Sequence, residues 1–311
     1  MSGSRGSAPR RSRRPPSGAR RARPSACQYR ARSRTAAWFI TGASSGIGAA
    51  LVTAALDAGD HVVATARNVE KLRSAIGQPA SERLAFVPLD VTNEERAHEA
   101  ITVAVERFGR IDVLVNNAGY CLMGDLESLT TKQIEQQFAT NFYGVLYVMR
   151  AALPVMRRQG SGRIFNVTSM AGVVGYGKCS AYAASKFAVE GLSLSVAQEV
   201  ERFGITLTCV EPGFFRTDLL APQSSVFGDI AVEGYDSPAE IKAKWLSYHG
   251  KQGGDPAKLG KALVQLAAAP SPPKQFYAGT DAVDGITADL KARLDDAQAH
   301  RDLSVTTDGN F

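Results

Sequence analysis

The chain has 311 residues, of which 44% are hydrophobic, so it can bury a substantial core. Its net charge of +6 is unevenly distributed, because 11 of the 36 Lys and Arg residues lie in residues 1–34, which contain no acid. The other residues carry 25 basic against 30 acidic side chains, which argues against a body that binds nucleic acid by charge. No apolar stretch approaches the roughly 20 residues of a membrane span, so no membrane partner is expected.

Residues 1–34 form a tail rich in Arg, Pro and Ser, with too few large apolar residues to fold, and we predict that it is disordered. It could be an organellar transit peptide, a nucleic-acid-binding arm or another targeting signal. It could equally reflect a start codon assigned too early, with the protein beginning near Thr35. Residues 35–311 are then predicted to form a single domain.

The four cysteines show no paired metal-ligand spacing; they are Cys27, Cys121, Cys179 and Cys209. This pattern is typical of reduced thiols, so we predict a cytoplasmic protein without a metal site. The alternative is that the tail is an organellar targeting signal.

A glycine-rich turn follows the first apolar run of the body. Residues 36–41 have strand character and pass directly into Gly42, Gly46 and Gly48, which open an alanine-rich helix reaching about Asp57. Glycines at a strand-to-helix turn let the backbone approach a pyrophosphate, and the helix N-terminus supplies N–H groups to it. The sequence therefore predicts a dinucleotide site here.

The second strand indicates which dinucleotide is bound. His61–Ala66 ends at Arg67, and no acid follows until Glu70. A carboxylate at this point would accept from the ribose 2′-OH of NAD, whereas arginine accommodates a 2′-phosphate. We therefore expect NADP(H) rather than NAD(H); the alternative is that Arg67 is only a solvated residue at a helix start.

Strands and helices continue to alternate along the chain. Strands are predicted at residues 83–89, 111–115, 163–168, 205–211 and 275–278, and helices at residues 93–108, 131–158, 180–203, 256–269 and 282–299. Repeated strand–helix units imply an α/β fold, a single Rossmann-type doubly wound parallel sheet flanked by helices. Residues 214–255 break the alternation and are predicted to form an irregular substrate lid.

Tyr182 and Lys186 lie four residues apart within a predicted helix, and therefore on one face of it. An unperturbed tyrosine has a pKa of about 10, too high for proton exchange near neutrality. A nearby ammonium favours the phenolate and would lower that pKa, which makes the tyrosine a candidate general acid and base.

The whole pattern resembles the short-chain dehydrogenase/reductase family over residues 36–299. The motifs that carry the resemblance are, in order, Thr41-Gly-Ala-Ser-Ser-Gly-Ile-Gly48, Asp90, Asn116-Asn-Ala-Gly119, Asn141, Ser169, Tyr182-Ala-Ala-Ser-Lys186, and Pro212-Gly213 with Thr217. The resemblance implies an oxidoreductase that transfers a hydride between NAD(P) and a carbonyl or alcohol.

The resemblance also implies roles at the catalytic centre. Tyr182 would exchange the proton with the substrate oxygen, Lys186 would lower the pKa of Tyr182, and Ser169 would hold the substrate oxygen. Asn141 matches the asparagine that anchors a water in a proton relay, although it could simply be a polar residue that bends its helix. Thr168 competes with Ser169, but neighbouring strand residues point to opposite sides, and the spacing to Tyr182 favours Ser169.

Cofactor contacts are implied at the matching positions. These are Gly42, Ser45, Gly46, Ile47, Gly48, Arg67, Asp90, Val91, Asn117, Ala118, Gly119, Tyr182, Lys186, Pro212, Gly213 and Thr217.

Apolar side chains surround the predicted substrate side. They are Phe214, Phe215, Leu219, Leu220, Val226, Phe227 and Tyr235 of the lid, together with Cys121, Leu122, Met123, Val173, Val174 and Tyr176. They favour a moderately hydrophobic ketone, aldehyde or secondary alcohol, unless they are ordinary packing. The segment from Tyr182 also resembles hydroxysteroid and retinol dehydrogenases.

Two other functions remain open from the sequence: an NAD-linked alcohol dehydrogenase and a non-catalytic NADP(H)-binding sensor. The family resemblance implies a homodimer or homotetramer that pairs through residues 131–158 and 180–203.

Overall fold

The computed structural model describes residues 35–221 and 224–309. The predicted disorder of residues 1–34 and the thiol of Cys27 lie outside the described residues.

Nine strands of the described residues form two parallel sheets. The strands are β1 (Ala37–Ile40), β2 (His61–Ala66), β3 (Leu84–Pro88), β4 (Val113–Asn116), β5 (Leu122–Met123), β6 (Gly162–Val167), β7 (Ile205–Pro212), β8 (Val226–Phe227) and β9 (Gln275–Ala278). Seven of them make one sheet in the order β3-β2-β1-β4-β6-β7-β9, and β5 pairs with β8 in a second, two-stranded sheet. The larger sheet confirms the predicted doubly wound fold. Its strand order reverses between β1 and β4, which is where ligands bind in such sheets.

In the part of the chain that the structure describes, ten α-helices connect and cover the strands. They are α1 (Gly46–Asp57), α2 (Val69–Ile76), α3 (Glu94–Phe108), α4 (Thr131–Phe138), α5 (Gly144–Gln159), α6 (Ser180–Val200), α7 (Pro238–Leu246), α8 (Pro256–Ala268), α9 (Thr280–Ala299) and α10 (Arg301–Val305).

Successive residues of the central strands enter opposite cores, because side chains alternate across a sheet. Trp38 and Ile40 of β1 join the core beneath α1, α2 and α8, whereas Phe39 joins the core beneath α3, α5 and α6. Gly260 of α8 lets that helix approach α1 closely, since a Cβ there would lie 3.0 Å from the carbonyl oxygen of Ala50. Both faces of the sheet are therefore buried.

The predicted helix over residues 131–158 differs from the observed structure in one respect. A π-helical turn at Ala139–Tyr143 separates α4 from α5. Such turns insert an extra residue into the helical ladder and occur frequently at functional sites. This turn contains Asn141.

The lid is more ordered than the sequence indicated. It contains a 3₁₀ turn at Asp218–Leu220, strand β8 and helix α7. Glu127 and Asp236 tie it to neighbouring loops: the Tyr235 hydroxyl donates to the Glu127 carboxylate at 2.9 Å, and Asp236 pairs with Lys178 at 3.0 Å.

No helix within residues 35–221 and 224–309 is long and apolar enough to cross a membrane. Cys121, Cys179 and Cys209 are free, buried thiols. The cytoplasmic location stays a prediction.

Candidate active site

The glycine turn between β1 and α1 needs two residues in the left-handed region. Gly42 has φ +64° and Gly46 has φ +54°, which side chains with a Cβ rarely adopt. A Cβ on Gly42 would also lie 2.7 Å from the Cα of Ala118. The glycines therefore let this turn lie directly against the loop that follows β4.

The N-terminus of α1 differs from those of α2, α3 and α8. Asn68, Asn93 and Asp255 cap α2, α3 and α8 with a side chain that accepts from first-turn N–H groups. Ser45 at the start of α1 makes no such bond, and the first turn holds no acid. Because the first N–H groups of a helix have no partner within the helix, this end is open to an anion.

Asn117 fixes the loop after β4 to the glycine turn. Its side-chain amide donates to the carbonyl oxygens of Thr41 and Gly42, both at 3.0 Å. The Thr41 hydroxyl accepts in return from the backbone N–H groups of Asn117 and Ala118. Gly48 packs behind this junction, where a Cβ would lie 2.5 Å from the amide nitrogen of Asn117.

Two cationic side chains lie near the C-terminal end of β2. Arg67 and Lys71 line the same cavity as the glycine turn. Asp90 also lines this part, and its carboxylate accepts from the backbone N–H and the hydroxyl of Thr92. Lys71 joins Arg67 because Asn68 caps α2 and places Lys71 in its first turn.

Tyr182, Lys186 and Ser169 meet at the other end of this cavity. The Lys186 ammonium lies 5.8 Å from the centroid of the Tyr182 ring and donates to the carbonyl oxygen of Val167 at 2.8 Å. The Ser169 side chain hydrogen-bonds Tyr182 and accepts from the backbone N–H of Ala171 at 3.1 Å. Helix α6 and the end of β6 thus bring the three side chains together.

The expected depression of the Tyr182 pKa does not occur in this structure. Burial raises the pKa of Tyr182, and the hydrogen bond with Ser169 opposes that rise. Burial also lowers the pKa of Lys186 to about 8, against the charge of Glu190. Both shifts have one cause, since a buried site disfavours the charged form of each group. At neutral pH Tyr182 is therefore a neutral phenol beside a lysine that can still hold its proton.

The hydroxyl of Thr168 is committed elsewhere. It is positioned to donate to Glu190 at 2.6 Å and to the carbonyl oxygen of Val210 at 3.0 Å. Ser169 is the hydroxyl beside Tyr182, which supports the choice made from spacing.

Glu190 and Glu211 form a buried acidic pair behind the site. Glu211 is fully buried and accepts from the backbone N–H of Phe276 at 2.9 Å, while its second oxygen has no partner that donates. Burial, and then the charge of Glu190, raise the pKa of Glu211 to about 9. Glu211 therefore keeps its proton at neutral pH, since a buried carboxyl beside another acid is disfavoured as an anion.

Asn141 is fully buried within the π-helical turn and uses its side chain to hold a loop. Its amide nitrogen donates to the carbonyl oxygen of Tyr120 at 3.0 Å and to the Ser185 hydroxyl at 3.1 Å, and its oxygen accepts from the Tyr120 N–H at 3.1 Å. Gly119 packs against it, since a Cβ there would lie 3.1 Å from the Asn141 oxygen. Asn141 thus positions the loop that faces Lys186.

One cavity of about 880 Å³ joins the glycine turn to Tyr182. The residues predicted to act in catalysis or to contact the cofactor line it, except Asn141 and Gly48. Five of the apolar residues predicted on the substrate side do not line it: Leu122, Val173, Val174, Phe227 and Tyr235. Of the predicted apolar residues, those that line the cavity are Cys121, Met123, Tyr176, Phe214, Phe215, Leu219, Leu220 and Val226.

Among the wall residues that sequence reasoning missed are Lys71, Trp245 and Gln252. The helix-capping pattern at Asn68 could have indicated Lys71. Nothing in the sequence singles out Trp245 or Gln252, because each is a lone residue in or beside the irregular lid.

Comparison with known proteins agrees with this geometry. The family described as short chain dehydrogenase matches residues 36–226. An oxidoreductase of Botryotinia fuckeliana is 38% identical over 276 residues, which cover 88% of this chain and 99% of the fungal protein.

Solved structures share the fold. A short-chain dehydrogenase from Streptomyces avermitilis is 35% identical with a TM-score of 0.79, and the match covers 89% of this chain and 100% of that one. The protein ElxO, solved with NADP bound, is 30% identical with a TM-score of 0.64, and the match covers 78% of this chain and 96% of that one.

Proposed function

This chain belongs to the short-chain dehydrogenase/reductase family of NAD(P)-dependent oxidoreductases, and we propose that it interconverts a moderately hydrophobic ketone or aldehyde with its alcohol, using NADP(H). The observation that carries the proposal is that one continuous cavity contains both groups of residues. It has an uncapped helix N-terminus and two cations at one end, and Tyr182 with Ser169 and Lys186 at the other.

The residues of the cavity fit a dinucleotide. The open N-terminus of α1 and the glycine turn suit a pyrophosphate, which binds the N–H groups at helix starts. Pro212, Gly213 and Thr217 also line the cavity, and Thr217 lies against Gly46 of this turn. When bound, the cofactor supplies the hydride.

Proton transfer belongs to Tyr182. Its raised pKa keeps the phenol protonated at neutral pH, so it can donate a proton to the carbonyl oxygen during reduction. The Lys186 ammonium, 5.8 Å from the ring, stabilises the phenolate that forms. Ser169 holds the same substrate oxygen, where negative charge develops.

Arg67 and Lys71 support the preference for NADP(H). Two cations beside the end of β2 can bind a 2′-phosphate, and Glu70, the acid nearest in sequence, pairs with Arg73 at 3.8 Å. ElxO, solved with NADP bound, is in keeping with this preference.

The apolar wall supports a hydrophobic substrate. Leu219, Leu220, Met123 and Trp245 line the cavity, and the acids in its wall are Asp90 and Asp218. A highly charged substrate would lose hydration against this apolar wall.

We also propose that two or four copies assemble through α4, α5 and α6. Tyr143 is 46% exposed and stacks with Tyr147 on this face, and Leu194 of α6 is 37% exposed. Light scattering should return two or four times the 33.1 kDa mass of the chain.

The experiment that tests the function is NADPH oxidation against a panel of aliphatic, aromatic and polycyclic carbonyls, run beside Tyr182→Phe. Turnover that collapses in the variant supports the proposal. Tight NADPH binding with no turnover in either direction would favour a sensor, and equal or better turnover with NADH would overturn the NADP(H) assignment.

A further inference from the structure

Gln252 is a buried amide with no hydrogen-bond partner. It lies in the loop between α7 and α8 and is 4% exposed, yet neither its Nε2 nor its Oε1 has a partner. Within residues 35–221 and 224–309, the other buried side chains with an unpartnered polar atom have one such atom each, whereas Gln252 has two. A buried amide that has given up its hydrogen bonds to water needs replacements, so such a residue requires an explanation.

Another buried glutamine shows what this fold normally provides. Gln137 is fully buried, and its Oε1 accepts from the Leu122 N–H at 2.7 Å while its Nε2 donates to the Tyr120 carbonyl oxygen at 2.9 Å. Both ends of that amide are used to fix a loop. Gln252 fixes nothing through its side chain.

The backbone around Gln252 is held firmly in place. The Gly254 N–H donates to the Phe214 carbonyl oxygen, and the Arg216 N–H donates to the Gly254 carbonyl oxygen, both at 2.9 Å. The Arg216 guanidinium also donates to the backbone carbonyl oxygen of Gln252 at 3.3 Å. The segment that follows Gly213 thus positions Gln252 before any ligand arrives.

The free amide belongs to the cavity of the active site. Gln252 lines that cavity with Trp245, Phe214 and Phe215, which offer it apolar surface rather than hydrogen bonds. A polar group of a ligand bound there would meet an amide that is already desolvated, on a backbone that is already held in place. Such a group would gain its hydrogen bonds with little ordering of the protein.

We propose that Gln252 is a ligand-binding residue of this active site, which takes a neutral group offering both a hydrogen-bond acceptor and a donor. A primary carboxamide matches Nε2 and Oε1 at once. This inference rests on the proposed function, and the group has two sources within it: the nicotinamide carboxamide of the cofactor, or an amide or hydroxyl of the substrate beyond its reacting carbonyl.

The test uses Gln252→Met, which keeps the size of the side chain and removes both polar atoms, in the full chain. NADPH affinity is measured by fluorescence titration without substrate, and KM is measured with the best carbonyl of the panel. We expect one of the two constants to rise about 5- to 20-fold, which is the effect of losing one or two hydrogen bonds. The melting temperature of the ligand-free protein should not fall, because no hydrogen bond within the protein is lost.

The outcomes separate the sources. A weakened NADPH affinity identifies the cofactor carboxamide, and a raised KM with unchanged NADPH affinity identifies the substrate. Gln252→Glu keeps an acceptor and loses the donor, so it should also weaken the same constant. If both constants stay within twofold of wild type, the amide is merely hydrated and the inference is overturned while the proposed function stands. If the wild type binds no NADPH, both fail.

Gln159→Met is the matched control. The Gln159 amide bonds the N–H and carbonyl oxygen of Ile111 at 2.9 and 2.8 Å, and Gln159 lies at the end of α5, outside the cavity wall. This variant should lower the melting temperature and leave both ligand constants unchanged, the opposite of the result expected for Gln252→Met.

Discussion

The two ends of the cavity are built in different ways. The cofactor end is formed by strand ends and a helix start, and Asn117 binds its two loops together through Thr41 and Gly42. The substrate end is closed by the lid, which is held through the two-residue strand β8, a backbone hydrogen bond from Ile230 to Ser128, and side-chain contacts such as those of Tyr235 and Asp236. A rigid frame can hold one cofactor throughout a family, whereas a loosely tied lid can change with the substrate.

Tyr182→Phe should show the largest difference between the two ends of the cavity, because it should reduce turnover and leave cofactor affinity nearly unchanged. Loss of the hydroxyl removes the proton donor, and we expect turnover to fall by about 10³-fold, within the range for general acid catalysis. NADPH affinity should stay within a few-fold of wild type, because the cofactor end is untouched. Stopped-flow turnover and a binding titration measure both. An equal loss of binding would mean that the two ends are not independent.

Arg67→Asp should damage only the cofactor end. If Arg67 binds the 2′-phosphate as proposed, replacing this cation with an acid should weaken NADPH binding by about 10- to 100-fold and NADH binding much less. Lys261→Asp on the exposed side of α8 controls for the change of net charge. Equal losses for the two cofactors would contradict the role of Arg67.

The pH dependence of reduction should report the substrate end. Burial lowers the pKa of Lys186 to about 8, so the ammonium loses its proton as the pH rises through that value. We expect kcat/KM for the carbonyl to decline above pH 8, because this ratio reports groups of the free enzyme. In Lys186→Arg the charge is permanent. A decline that persists unchanged in this variant would assign it to another group.

Asp236→Asn should give the smallest effect, confined to the lid. It removes one of the two ion pairs of Lys178, and the pair with Asp125 at 2.9 Å remains. Asp236 is largely exposed, so the contact contributes little, and we expect KM to rise by no more than about threefold with kcat unchanged. The exposed lid residue Asp229, changed to Asn, is the control. A collapse of kcat would show that the lid also orders the catalytic groups.

The same contrast explains what the sequence could reveal. The doubly wound parallel sheet could be predicted because apolar runs alternate with helical segments, although the order of its strands was not predicted. Gly42, Asn117 and Ser169 mark strand ends, where ligands bind in such sheets. Asn141 could be located, but the π-helical turn around it could not, because an extra residue in a helix leaves no clear periodic signal.

The structure of the lid could not be predicted from the sequence, because its contacts join residues that are far apart along the chain. Strands β5 and β8 have two residues each, too few to show alternation. Gln252 is informative only once the structure shows that nothing bonds to its amide. The prediction of a lowered pKa for Tyr182 was wrong for a similar reason, since burial, which raises this pKa, is a property of the folded chain.

The paired carboxyls of Glu190 and Glu211 make the folding of this protein a proton-consuming reaction. An unfolded glutamate loses its proton near pH 4.5, whereas Glu211 in the folded chain keeps it up to about pH 9. Between those values the native state holds more protons, so its stability declines as the solution becomes more alkaline. Calorimetric unfolding at pH 7 should then release a proton to the buffer, giving an apparent enthalpy that differs between phosphate and Tris. Glu211→Gln should abolish most of that difference.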